Sequence, residues 1–218
     1  MNPKDKKTML MNWPERVFIS SPVRLLVQHR QASKWIRLAG PRKAETALEI
    51  GCGLGRGAQI AVNRLGAARM FAFDLEEDIV HKAGKRLPAE LKGRISFFVG
   101  DAQDFPFPDT SFDAVINYGI IHHVLDWRRC ISEIGRVLKT GGLFYFEEIY
   151  PPLYANPLMR HLVRHPETDR FEGSQFIAAL EANHVKLLPG VRTDSRFGIV
   201  GVARKELTPD DRPRSTVS

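Results

Sequence analysis

Covalent and metallic reinforcement is scarce in this chain of 218 residues: it has two cysteines, Cys52 and Cys130, and no Cys-x-x-Cys pair. That excludes a disulfide framework and leaves no metal-ligand spacing, so both cysteines read as small buried side chains in a reducing compartment. A long apolar run is also missing; none reaches the roughly 18 residues of a spanning helix. Residues Met1 to Asn12 are basic and polar and lack the apolar centre of a signal peptide. The expected location is therefore the cytoplasm, with no membrane span. No internal repeat is present, and no tight Lys/Arg block carries interleaved aromatics, which argues against a nucleic-acid partner. The net charge of +7 is spread from Lys4, Lys6 and Lys7 through Arg24, Arg30, Lys34 and Arg37 to Arg160, Arg164 and Arg170. It reads as a solvated basic exterior, with peripheral contact to an anionic surface left open.

What is present is the composition of an ordinary globular protein, 43% hydrophobic and 26% charged, in a length that suits one domain. Residues 1–40 read as an N-terminal tail and helical cap, in which Ser20-Ser21-Pro22 starts a helix over Val23 to Leu38. From residue 41 to 205 the pattern is strand, turn, helix, repeated. Strands are expected at Thr46–Ile50, Arg69–Phe73, Ile95–Val99, Ala114–Asn117 and, after a Thr140-Gly141-Gly142 turn, Leu143–Ile149. Helices are expected to about Leu65, over Glu77–Leu87 and over Trp127–Leu138, the last capped by Asp126. Ser174–Ala182 is helical, and Val185–Leu188 with Phe197–Ala203 reads as an antiparallel hairpin. Residues 206–218 are polar and read as a disordered tail. Alternating strands and helices imply an α/β fold with a mainly parallel sheet. Ligands in such sheets bind beyond the carboxyl ends of the strands.

The unusual residues fall at those ends. Gly51, Gly53 and Gly55 let the backbone turn tightly beneath a ligand, and the helix that follows offers free N–H groups. Asp74 ends the second strand, where a carboxylate can accept the hydroxyls of a ribose. Nicotinamide enzymes share both features. Asp101, within Gly100-Asp101-Ala102, adds a carboxylate beside a backbone N–H, suited to the amino edge of an adenine, with Phe105 and Phe107 as walls.

Leu48-Glu49-Ile50-Gly51-Cys52-Gly53-Leu54-Gly55 resembles the first motif of class I S-adenosylmethionine-dependent methyltransferases. Gly100-Asp101-Ala102 through Phe112-Asp113-Ala114-Val115 resembles their adenine-site segment. Asn117 to His123, then Glu133 to Gly142, is similar to the small-molecule branch that includes the quinone-biosynthesis methyltransferases; Thr140 stands where that branch has proline. The resemblance implies a Rossmann-like seven-stranded sheet with helices on both faces. It implies S-adenosyl-L-methionine as cofactor, S-adenosyl-L-homocysteine as product and no metal. Glu49, Gly51, Cys52 and Gly53 would form the loop under the methionine part, Asp74 would hold the ribose, and Leu75 would pack on the adenine. Asp101 and Ala102 would hold the adenine edge, and Asn117 would face the methionine end or the sulfur.

His122, His123 and the weaker Tyr118 are the candidate bases, needed only if the acceptor arrives protonated. Glu147 and Glu148 alternate along the fifth strand, so their side chains point to opposite faces. A small-molecule acceptor, apolar or aromatic, is expected under a lid built from the N-terminal segment (Trp13, Phe18, Trp35) and an insertion at about 150–172 with Met159, His161 and His165. The rival readings are a nicotinamide-dependent oxidoreductase, a nucleic-acid methyltransferase and a non-catalytic cofactor-binding protein. Base-methylating enzymes place paired prolines after the fourth strand, where this chain has Asn117-Tyr118-Gly119-Ile120.

Overall fold

The computed structural model describes residues 20–154 and 169–207, together with Val17. Trp13, Phe18, Met159, His161, His165, most of the expected insertion and the tail beyond residue 207 lie outside the described residues. Ser21 caps helix α1 (Pro22–Ala39) by accepting from the Arg24 amide at 3.2 Å, with Pro22 in the first turn and Gly40 at the close. Then follow β1 (Ala44–Ile50), α2 (Arg56–Arg64), β2 (Ala67–Asp74), α3 (Glu77–Lys85), β3 (Ile95–Val99), β4 (Phe112–Tyr118), α4 (Trp127–Val137) and β5 (Leu138–Ile149). A single turn, α5 (Pro151–Tyr154), precedes α6 (Gly173–Ala182), β6 (Val185–Leu187) and β7 (Gly198–Lys205).

The seven strands order as β3-β2-β1-β4-β5-β7-β6. The first five are parallel, and β7 runs antiparallel between β5 and β6. The central strands are buried along most of their length, which is why they read as near-continuous apolar runs rather than alternating ones. Two cores result. On the α4 face, Trp127, Cys130, Ile131 and Ile134 press against Phe112, Phe144, Phe146 and Phe176. On the α1–α2 face, Trp35, Ala58 and Ala61 cover Met70, Ile116, Tyr118 and Tyr145.

The start of β5 differs most from the sequence expectation. The helix stops at Val137 and β5 begins at Leu138, so Thr140-Gly141-Gly142 lies inside a strand rather than ahead of it. Leu138 already pairs with Phe112, and the register shifts before Ala114 meets Leu143. Gly141, at φ 80°, absorbs the bulge between the two pairs.

Candidate functional site

Register brings the strand ends side by side. Ile50 pairs with Phe73 on one side and Asn117 on the other, and Asp74 pairs with Val99. The loops after β1, β2, β3 and β4 therefore share one edge. The first turns under Gly51, whose φ of 69° suits glycine. A side chain there would also strike Ile120 at 2.5 Å. Gly57, in the first turn of α2, leaves the space that the Glu49 carboxylate fills.

Glu49 is 1% exposed, on the next-to-last position of β1. One oxygen is served by the Ala58 amide; Oε2 is buried with no hydrogen-bond partner among the described residues. Burial pushes its pKa well above the usual carboxylate range, and the nearby Asp74 charge adds to the rise. Asp74 binds the glycine loop to β2: Oδ2 accepts from the Gly53 amide at 3.0 Å and Oδ1 from the Glu76 amide at 3.2 Å. Cys52 is held by its own amide, which donates to the Phe73 carbonyl at 2.8 Å, and burial raises its thiol pKa.

Asp74, Leu75, Ala102, Ile120 and His123 border a recess of about 70 Å³ at this edge, with Gly51 at its floor. That is below the roughly 300 Å³ of a typical ligand pocket, so a nucleoside would lie partly inside it and partly across the strand ends. Asp101 is half-buried and does not border the recess; its Oδ1 accepts from the amide of Gln103 at 2.9 Å and from the Gln103 side chain at 3.1 Å.

Behind the recess stands a buried polar knot that the sequence did not disclose. Glu148, 1% exposed, accepts at Oε1 from Asn117 Nδ2 (2.6 Å) and the Ile121 amide (2.8 Å). Its Oε2 accepts from the His122 amide at 3.3 Å and lies 2.6 Å from His122 Nδ1. Asn117 also donates to the Glu147 carbonyl and accepts from the Ile120 amide at 3.0 Å. The turn Ile120–His123 is thus pinned from below. His122 faces Glu148 inside the protein, whereas His123 reaches the recess wall. Burial lowers the His122 pKa to about 3 and raises that of Glu148 to about 8.

Tyr118 points to the other face of the sheet. Its ring lies 4.8 Å from that of Trp35, and burial, with the Glu49 charge, raises its pKa far above 10. Of the three candidate bases, His123 alone borders the recess. Glu147, one residue from Glu148, pairs at 3.2 Å with Arg24 of α1, which also donates to the Tyr118 carbonyl. Alternation along β5 signalled that the two glutamates part; the strand alone did not say which turns inward.

The methyltransferase domain family matches residues 48–146. The chain is 35% identical over 109 residues to the fatty-acid O-methyltransferase of Mycolicibacterium smegmatis, a match covering 50% of this chain and 39% of that one. It is 35% identical over 123 residues to the phthiotriol/phenolphthiotriol dimycocerosates methyltransferase of Mycobacterium tuberculosis, covering 56% and 43%. The chain thus matches less than half the length of these relatives. In fold it is similar to a SAM-dependent methyltransferase from Aquifex aeolicus, with a TM-score of 0.67 at 15% identity over 88% of this chain and 97% of the other.

Proposed function

The chain belongs, through residues 48–146, to the class I S-adenosylmethionine-dependent methyltransferases, and from that premise we propose that it binds S-adenosylmethionine at the Asp74 recess and passes its methyl group to an apolar small-molecule acceptor. The cofactor supplies a methyl group on a positively charged sulfur. The residues present fit it. Glu49 Oε2, buried and without a partner among the described residues, suits the ammonium of the methionine part. Asp74 offers carboxylate oxygens at the recess where ribose hydroxyls would come. This convergence of two carboxylates on one glycine loop carries the reading.

Each side chain then has a task. Leu75 and Ala102 would wall the adenine, and Asp101, next to Ala102 in sequence, would take its amino edge in exchange for the Gln103 side chain. Asn117 and Glu148 fix the turn that presents Ile120 and His123. His123 would accept the proton of a hydroxyl acceptor; a carboxylate acceptor would need none. Most of the rate then comes from aligning two reactants, worth about 7–11 kcal/mol in good cases. The fatty-acid and dimycocerosate acceptors in the relatives' names support an apolar acceptor.

The test is S-adenosylhomocysteine formation with a panel of fatty acids, long-chain alcohols, phenols and quinols, against water-soluble amines and amino acids. Turnover is expected with apolar acceptors. Turnover confined to the water-soluble set would overturn the acceptor class.

A further inference from the structure

α1 and α2 carry charge of one sign. α1 and α2 hold Arg24, Arg30, Lys34, Arg37, Arg56 and Arg64, and not one Asp or Glu. Arg24 turns inward to Glu147. The other five, and Arg86 at the end of α3, form no ion pair among the described residues. The bonds that Arg56 and Arg64 do make go to neutral groups: the Ser21 carbonyl, the His29 carbonyl and ring, and the Ser33 hydroxyl. The opposite side of the sheet behaves differently. There every arginine of α4 meets a carboxylate: Arg128 meets Asp169 at 2.7 Å, Arg129 meets Asp104 at 3.8 Å, and Arg136 meets Asp109 at 2.8 Å. α1 and α2 thus carry five cations with no ion pair among the described residues and no carboxylate of their own, whereas the arginines of α4 are paired.

That face is also shaped. A groove of about 540 Å³ runs between α1 and α2, lined by His29, Arg56, Arg64 and Arg86 with no carboxylate among its walls. Beside it, Val23 and Leu26 are 60% and 55% exposed on the first turns of α1. Helical spacing places Leu26, Arg30 and Arg37 together, opposite the buried stripe Gln28, Gln31 and Trp35. Exposed aliphatic side chains set among unpaired cations are the pattern of an interfacial basic helix.

We propose that the α1–α2 face docks on an anionic lipid bilayer, with its guanidinium groups on headgroup phosphates and Val23 and Leu26 in the interfacial layer. Arginine suits phosphate through its paired donors. The aliphatic side chains favour lipid over nucleic acid, whose bases call for stacking aromatics; Trp35 is buried on the inner face. Arg24 anchors the start of α1 to β4 and β5. The inference does not rest on the identity of the acceptor.

The experiment is co-sedimentation of the full chain with vesicles of phosphatidylcholine alone or mixed equally with phosphatidylglycerol. Partition onto the anionic vesicles is expected, weakening as salt rises, with little onto the neutral ones. Replacing Arg30→Gln, Lys34→Gln and Arg37→Gln together should lower that partition on the order of a hundredfold. Leu26→Ser should lower it severalfold with no change in charge. S-adenosylmethionine affinity in solution, measured alongside, reports folding and tests the methyl-transfer reading separately. Equal partition onto neutral vesicles, a triple variant that binds as well as the parent, or displacement by millimolar inorganic phosphate at constant ionic strength would overturn the proposal. Tighter binding to an RNA oligonucleotide than to the anionic vesicles would overturn it as well.

Discussion

Three carboxylates at the residue scale show how surroundings assign roles to one chemical group. Asp74 stands at the recess and uses its oxygens on two loop amides; Glu49 is buried beside it with an oxygen to spare; Glu148 is buried and saturated with donors. Asp74→Ala should weaken S-adenosylmethionine binding about 10–100-fold by calorimetry, the size of a lost hydrogen bond to a charged group. Unchanged affinity would remove Asp74 from the site. Glu148 makes a pH prediction. Its pKa rises from 4.5 to about 8 on folding, so it stabilises the fold below pH 4.5 and loses that contribution as pH rises toward 8. His122 falls from 6.5 to about 3, so its contribution is present above pH 6.5 and is lost as pH drops toward 3. Their slopes oppose each other at acid pH, and above pH 6.5 the decline from Glu148 stands alone. Glu148→Gln keeps the hydrogen-bonding shape and should abolish that alkaline decline in denaturant titrations. A variant with the parent's slope would show that Glu148 does not titrate there. Asp74 was legible in the sequence because a strand-end carboxylate after a glycine loop has few uses. Glu148 was not, because its partners come from β4 and the following turn, and only pairing of β4 with β5 brings them near.

At the scale of elements, α1 is more than a cap. Trp35 is wholly buried, donates from its indole to the Phe146 carbonyl at 3.1 Å, and packs on Tyr118 and Tyr145. Trp35→Ala should cost about 3–5 kcal/mol in urea unfolding, the range for a large aromatic removed from a core. A loss under 1 kcal/mol would mean that α1 is only loosely seated. The strand–helix alternation read correctly because each helix keeps its apolar stripe, as Trp127, Ile131 and Ile134 show on α4. Strand ends read less well. β4 begins at Phe112, two residues before the expected Ala114, since pairing to a neighbour extends a strand beyond its apolar run. The paired glycines of β5 looked like a turn because local conformation carries that signal, while the bulge that keeps them in the sheet depends on Phe112 and Leu138.

For the whole molecule, the parallel order of β3-β2-β1-β4-β5 and the reversed β7 gather residues from four loops at one edge. That gathering was legible, because the resemblance fixed the order of motifs. The joint cationic surface of α1 and α2 was not: the two helices are separate in sequence, and only their packing side by side adds their cations together. The chemistry of the acceptor is read by turnover assays. The cofactor is the nearer question, and a calorimetric titration of the purified chain with S-adenosylhomocysteine, and separately with NADH, addresses it. Saturable binding of S-adenosylhomocysteine, with none of NADH, is the expected result. Binding of NADH alone, or of neither, would contradict a methyl-donor site at Asp74.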